Sequence, residues 1–550
     1  MGSKSLLVYV PGSPFSPSVF LPKRELARAA SALVPGEHTT TILDFGTTPS
    51  LHRFRPLRRA MLPFDRAENS ESYFRATLAS LQLILHNRLF DNELAAQQRA
   101  AIESAVHDIR SHGTVDFIGF YVRDCDDLFV AVQVAKHLKR NNLRSRYAVW
   151  GVTRDILEAE LQRRKTPFDV AFEASGTPVT MWADRIRHAA TWSSIPGVLT
   201  RTPGVAWQPS LAGLAHPGPS DPHCYEDSTY PAMAGENKFK LFSVVAHEDV
   251  APIAHDDGRP IAVARAVALS ESLRSMEESF GARVFHIDVS RNGRMAIPAF
   301  SRCLLERTSE IVFAWRSATG TCDEAAAVSL LTCGCDVFSM GVKSGSQRLL
   351  DRHFETGSTV SQIESEIRQL KANGAFTVAV LEYPTLEDDY HTTCETIRLL
   401  GRAKPDASVV SIPESLHRGY GIWPTGLTAA YLHGRIGAQG LPDADARGRM
   451  GIWSGSALDP RHANRHQLSL QKELERHGIL TNLSEEFILI ARLSGYAGRE
   501  GEYAFLLHEC LVTGDAEGLA DLARAFNRAA QGLASPSLFR PYEARKAVGN

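Results

Sequence analysis

Two histidines and four carboxylates fall within one short loop, His247-Glu248-Asp249-Val250-Ala251-Pro252-Ile253-Ala254-His255-Asp256-Asp257. Imidazoles beside carboxylates can pass protons, with a carboxylate orienting the ring, and His247, Glu248, His255 and Asp256 are the candidate catalytic residues on that reading. The same residue types could ligate a single metal ion. They could also form a solvated acidic loop with no chemistry. Residue types alone leave all three open.

A second set of candidates lies where apolar runs end in small residues. The turns are Gly12-Ser13, Val122-Arg123, Gly151-Val152-Thr153 and Ser175-Gly176-Thr177. If each follows a parallel strand, they share the edge at which open α/β sheets bind ligands, and small side chains there leave room for a bulky one.

The elements needed to position both sets are legible. Leu6–Val10, Thr39–Leu43, Phe117–Val122, Tyr147–Gly151 and Phe168–Phe172 are short apolar runs alternating with helical stretches, the pattern of a doubly wound parallel sheet. A second series follows: Leu241–Ala246, Arg283–Val289, Ile311–Trp315, Val337–Val342, Thr377–Leu381 and Ser408–Ile412. Six βα units in sequence predict a partial (β/α)6 barrel, with functional groups at the strands' C-terminal ends. Residues 461–474, 487–493 and 515–530 read as helices. The expected domains are therefore 1–195, a connector over 196–235 rich in Pro, Gly and Ser, a barrel over 236–420 and a helical domain over 421–550. Within the connector, His223 and Cys224 are adjacent but have no further clustered ligands, so Cys224 reads as a linker thiol.

Net charge is −2, which gives no electrostatic case for nucleic acid. No apolar run approaches the 18 or so residues of a membrane span. Eight cysteines without an export signal do not form a disulfide framework and point to a reducing cytoplasm. The expected partner is a small-molecule substrate, with no nucleic acid and no membrane.

One stretch resembles a known family. Gly341-Val342-Lys343-Ser344-Gly345-Ser346-Gln347, at the end of an apolar run and before two helices, is similar to the G-V-E-S-G-S-Q motif of the radical S-adenosylmethionine (SAM) superfamily. The likeness is to the branch with an N-terminal cobalamin-binding (B12-dependent) domain. Val284-Phe285-His286-Ile287-Asp288 stands where that family has F-x-D-D, and Val378–Pro384 where it has G-L-P-G-E-T. Phe168–Thr177 stands where it has its fifth strand and Gly-Glu turn. The resemblance spans about residues 5–415. It implies a Rossmann-like cobalamin-binding domain, a radical-SAM-type barrel, and cobalamin as cofactor, held by the strand-end turns named above. Asp-x-His-x-x-Gly, the source of a cobalt-ligating histidine in other cobalamin proteins, is absent. The resemblance then implies a corrin with its own base detached and no protein histidine on cobalt; Arg123, at a strand end, either approaches its lower face or is an exposed loop arginine.

The chain departs from the family at the active centre. The family's C-x3-C-x2-C occupies the loop after the first barrel strand, where three thiolates hold a [4Fe–4S] cluster. Here that loop is Ala246–Gly258, which contains no cysteine, and the spacing recurs nowhere in the chain. Lys343 replaces the family's Glu. The expectation is a cobalamin-dependent enzyme with no [4Fe–4S] cluster, in which SAM binds differently or is not used. It would carry out methyl transfer or a polar cyclisation or rearrangement in a biosynthetic pathway. The other reading is a non-catalytic cobalamin-binding sensor or partner subunit.

Overall fold

The structure, a computed structural model, describes residues 4–12, 16–33, 39–53, 99–140, 145–152, 154–163, 165–172, 198–200, 222–246, 261–290, 296–306, 311–385, 387–412, 460–481 and 483–532. The chain divides into two compact units. The first holds Met1–Phe239, Gly421–Asp443 and Phe505–Ala523; the second holds Lys240–Tyr420, Ala444–Ala504 and Arg524–Asn550.

The first unit is built on six strands: β1 (Lys4–Tyr9), β2 (Thr39–Asp44), β3 (Phe117–Tyr121), β4 (Arg146–Trp150), β5 (Val170–Phe172) and β6 (Val198–Thr200). Their order is β2-β1-β3-β4-β5-β6, parallel except for β5–β6. This is the doubly wound arrangement the sequence predicts, with its switch point between β1 and β3. Helices α1 (Arg24–Leu33), α2 (Cys125–Arg140) and α3 (Arg154–Leu161) connect the strands. Helices cover both faces, so the inner strands are apolar on both sides: Leu6, Leu7 and Val8, or Phe117, Ile118 and Phe120, are fully buried.

The second unit carries β7 (Phe242–Val245), β8 (Val284–Asp288), β9 (Val312–Ala318), β10 (Cys335–Lys343), β11 (Phe376–Glu382) and β12 (Ala407–Ser411) in one all-parallel sheet of sequential order. Between them run α4 (Ile261–Phe280), α5 (Ile297–Leu305), α6 (Glu324–Thr332), α7 (Gln347–Arg352), α8 (Val360–Ala372) and α9 (Tyr390–Ala403). Sequential order with a helix in each crossover is the (β/α)6 layout expected. One face of the sheet meets these helices: Phe300 of α5 packs edge-on against Phe313 and tilted against Trp315, with ring centroids 6.1 and 5.3 Å apart. The motif turn after β10 needs its glycine, because a Cβ at Gly345 would lie 2.4 Å from the Thr396 Cα of α9.

Two expectations differ from what is found. The connector expected over 196–235 contributes β6 and a buried segment: Tyr225, Tyr230 and Met233 are buried, and the first unit runs on past the expected barrel start at 236 to Phe239. The Thr229 carbonyl accepts from Ile42 of the edge strand β2, covering backbone that would otherwise be unpaired. Cys224 is buried as well and receives a bond from the Ser31 hydroxyl, 3.2 Å away. The helices expected as a separate domain also belong elsewhere. Helices α10 (Pro460–Arg476) and α11 (Glu485–Ala491) cluster with the barrel sheet, while α12 (Glu500–Thr513) and α13 (Ala516–Gly532) each have residues in both units.

Candidate functional site

At the switch point of the first unit, the loops after β1 and β3 meet on one carboxylate. Asp127 on α2 has a fully buried side chain. Its Oδ1 accepts from the Gly12 N–H at 2.7 Å, and its Oδ2 accepts from the Arg123 N–H at 3.1 Å and Arg123 Nε at 2.8 Å. Arg123 Nη1 also donates to Ser18 at 2.9 Å, and the guanidinium lies over the Tyr9 ring, 5.3 Å from its centroid. The Arg123 side chain is only 17% exposed, so it is not a free loop arginine.

Beneath this edge the strand-end residues Tyr9, Tyr121 and Trp150 are register partners and form an aromatic row. Tyr9 is fully buried, and its hydroxyl has no hydrogen-bond partner among the described residues. Next to it Lys238 and Asp44, both fully buried, are 2.7 Å apart, and the Tyr230 hydroxyl donates to Asp44. Lys23 is buried too; its Nζ donates to the Ser18 carbonyl at 2.5 Å and lies 4.9 Å from the Tyr9 ring centroid. Burial, with Lys238 and Arg123 nearby, holds the Lys23 amine well below the usual lysine range. The strand-end edge is thus crossed by a network of buried polar side chains.

After β4, Gly151 adopts φ +118°, and a Cβ there would lie 2.1 Å from the Val122 carbonyl oxygen. That glycine is set by the close approach of the β3 and β4 loops. Gly12, Val122, Arg123, Gly151 and Val152 are therefore brought to one edge. Ser13, Thr153, Ser175, Gly176 and Thr177 lie outside the described residues.

In the second unit a polar ladder crosses the sheet face opposite α5. Asp288, Arg316 and Ser339 are register partners on β8, β9 and β10, and His286 lies two residues before Asp288 on the same face. Glu485, the first residue of α11, reaches this face. Its Oε2 lies 2.8 Å from His286 Nε2, and its Oε1 accepts from Ser339 Oγ at 2.7 Å and lies 3.5 Å from Arg316 Nη1. The other imidazole nitrogen, Nδ1, lies 3.6 Å from Glu486 Oε1. Burial alone would lower the His286 pKa, but carboxylates on both sides outweigh it and raise the pKa to about 9. Burial likewise opposes ionisation of Glu485, yet the His286 hydrogen bond and Arg316 bring its pKa down to about 2. At neutral pH this is a charged His–Glu pair inside the unit.

Further along the strands the ladder reaches Lys343 and Glu382, which end β10 and β11 and pair with each other. A bulge between Met340 and Lys343, with Lys343 at φ +65°, turns the lysine towards Glu382. These side chains are about one third exposed, whereas His286 and Glu485 are almost fully buried.

The candidate catalytic residues His247, Glu248, His255 and Asp256 lie outside the described residues. Their loop follows β7, whose neighbour is β8. The sequence reading missed Asp127, Lys23, Lys238, Arg316 and Glu485. A signal for part of this set existed. Both faces of a parallel strand are ordinarily apolar, yet His286 and Asp288 in VFHID, Arg316 in VFAWRSA and Ser339 in CDVFSMGVK interrupt such strands on one face.

No protein-family model matches the chain. No curated protein matches it either. Solved structures do. The radical S-adenosylmethionine methyltransferase TsrM from Kitasatospora setae, with cobalamin and a [4Fe-4S] cluster bound, aligns over 100% of both chains at 13% identity and a TM-score of 0.48. The cobalamin-dependent S-adenosylmethionine radical enzyme OxsB, with aqua-cobalamin bound, aligns over 97% of this chain and 80% of its own at 11% identity and a TM-score of 0.47. Both are radical S-adenosylmethionine enzymes solved with cobalamin bound, at a similarity too low to transfer residues or chemistry.

Proposed function

We propose that the chain is a cobalamin-dependent enzyme that works without an iron–sulfur cluster, on a small organic substrate, by two-electron chemistry. The observation that carries the enzyme reading is the row of ionisable side chains on β8 to β11, buried at His286 and Glu485 and ending at the part-exposed Lys343 and Glu382. Titratable groups with shifted pKa values cluster at catalytic sites, and this row runs to the C-terminal ends of the strands, where such sites lie.

The first unit's edge fits a large ligand in two respects. The Tyr9 hydroxyl is buried without a hydrogen-bond partner among the described residues, and Gly12 after β1 and Gly151 after β4 add no side chains to the strand-end edge. Bound cobalamin would supply a cobalt centre for methyl transfer. The chain's own residues would do the rest. Asp127 fixes the Gly12 and Arg123 loops in register. Arg123, spent on Asp127 and Ser18, would act through its fixed charge, as a wall of the site and not as a mobile ligand.

The absence of a cluster is supported by the sequence, which contains no C-x3-C-x2-C. The thiols of Cys322, Cys333 and Cys335 are poor substitutes: burial raises Cys322 to about 12 and Cys333 to about 11, and holds Cys335 well above the usual thiol range. Lys343, which stands where the family has Glu, is paired with Glu382, which supports a SAM site unlike the family's or none.

In this account His247 and His255, in the loop after β7, exchange protons with substrate, and Glu248 and Asp256 orient them. His247→Ala and His255→Ala are each expected to lower product formation by about 100-fold or more while leaving cobalamin binding intact. Turnover in the native pathway, measured beside equilibrium binding of hydroxocobalamin, checks this. Unchanged turnover in both variants would remove the acid–base role, and an absence of cobalamin binding in the unmodified protein would remove the cofactor.

A further inference from the structure

At the opposite end of the second sheet from Lys343 and Glu382, the first residue of β11 and the residues just before β12 line a cavity of about 660 Å³. That volume lies in the range of small-molecule sites. Four cations line it, Lys371, Lys404, Arg492 and Arg499, against three carboxylates, Asp406, Glu500 and Glu502. Each carboxylate already has its cation. Lys371 pairs with Asp406 at 2.9 Å, Arg492 with Glu500 at 2.9 Å, and Arg499 with Glu502 at 3.3 Å. Arg492 is held from behind by Asp336 as well, at 2.6 Å.

Two polar groups are left over. Neither the Lys404 ammonium nor the His477 imidazole has a charged or hydrogen-bonding partner among the described residues. Lys404 also sits at φ +51° and ψ +58°, closing α9 in a left-handed conformation where glycine is usual. The rest of the wall is apolar or aromatic: Phe376, with Arg492 stacked 4.8 Å from its ring centroid, then Pro405, Ile479 and Leu480.

We infer that this cavity binds an organic anion with an apolar or aromatic body and a phosphate or carboxylate head. Lys404 and His477 take the head, and Phe376, Ile479 and Leu480 take the body. The site is independent of the cobalamin reading, since every lining residue belongs to the second unit and none to the polar ladder.

The test is a ligand-observed NMR titration of the full chain with phenyl phosphate, with inorganic phosphate and phenol as head-only and body-only controls. Saturable binding of phenyl phosphate is expected, tighter than either control. Lys404→Gly removes the ammonium at a position glycine prefers, so it cannot act through backbone strain, and should weaken binding about tenfold or more. Gly501→Leu fills the cavity from α12, where an added Cβ meets only Leu480, at 3.9 Å, and should abolish binding without loss of thermal stability. Phenyl phosphate that fails to bind, binds no tighter than inorganic phosphate, or binds both variants as it binds the unmodified chain would overturn the inference.

Discussion

Asp44→Ala is expected to destabilise the first unit by about 3–5 kcal/mol, the usual cost of leaving a buried charge without its partner. That is a large share of the 5–15 kcal/mol by which typical domains are stable. Asp44 ends β2 and is buried between Lys238, 2.7 Å away, and the Tyr230 hydroxyl. It also accepts from the Gly46 N–H at 2.8 Å. Without it, Lys238 loses its carboxylate and is left facing the carbonyls of Val19, Leu21 and Gly46, with Lys23 and Arg123 nearby. Removing both charges together should cost less. Asp44→Asn combined with Lys238→Met leaves no uncompensated ion, and hydrogen exchange of the β1 and β3 amides should place it well above Asp44→Ala in stability. A double variant as unstable as the single one would show that the pair is not the cause.

Glu485→Gln is expected to cost the second unit about 3 kcal/mol near pH 6 and to change how its stability responds to pH. His286 titrates higher in the folded protein, at about 9, than its ordinary value of about 6.5. Its contribution is therefore complete below about pH 6.5 and is lost as pH rises towards 9. Glu485 is depressed to about 2, so its contribution is complete above the ordinary carboxylate value and lost only as pH falls towards 2. The two shifts describe one ion pair and do not add. In Glu485→Gln the imidazole loses its nearest carboxylate but keeps Glu486 at 3.6 Å, so the decline between pH 6.5 and 9 should flatten without vanishing. Hydrogen exchange of the β8 and β10 amides across that range checks this. A slope equal to that of the unmodified protein would mean that His286 is not held charged by Glu485.

Both predictions rest on pairs that local sequence cannot reveal. Tyr230 and Asp44 are 186 residues apart, and His286 and Glu485 are 199 apart. The strands were legible because burial on both faces demands continuous apolar runs, as in Phe117–Val122 or Val337–Val342. Strand β6 was not, because three residues of antiparallel edge in a segment rich in Pro and Gly carry no period. The same composition made 196–235 read as a connector, when Tyr230 is buried against its partner Asp44. The Arg123–Asp127 clamp was within reach of sequence reasoning, since an arginine and an aspartate four residues apart at a helix start are natural neighbours. The strand-end turns and the rim position Lys343 were legible through motifs. Glu382 was legible as a position but not as the partner of Lys343.

Whether cobalamin chemistry proceeds in this chain without an iron–sulfur cluster is decided by the visible spectrum and metal content of the purified chain after anaerobic incubation with iron, sulfide and hydroxocobalamin. Corrin absorption bands with cobalt near one per chain and no bound iron are expected. Iron and sulfide at about four per chain would overturn the proposal, as would a protein that stays colourless.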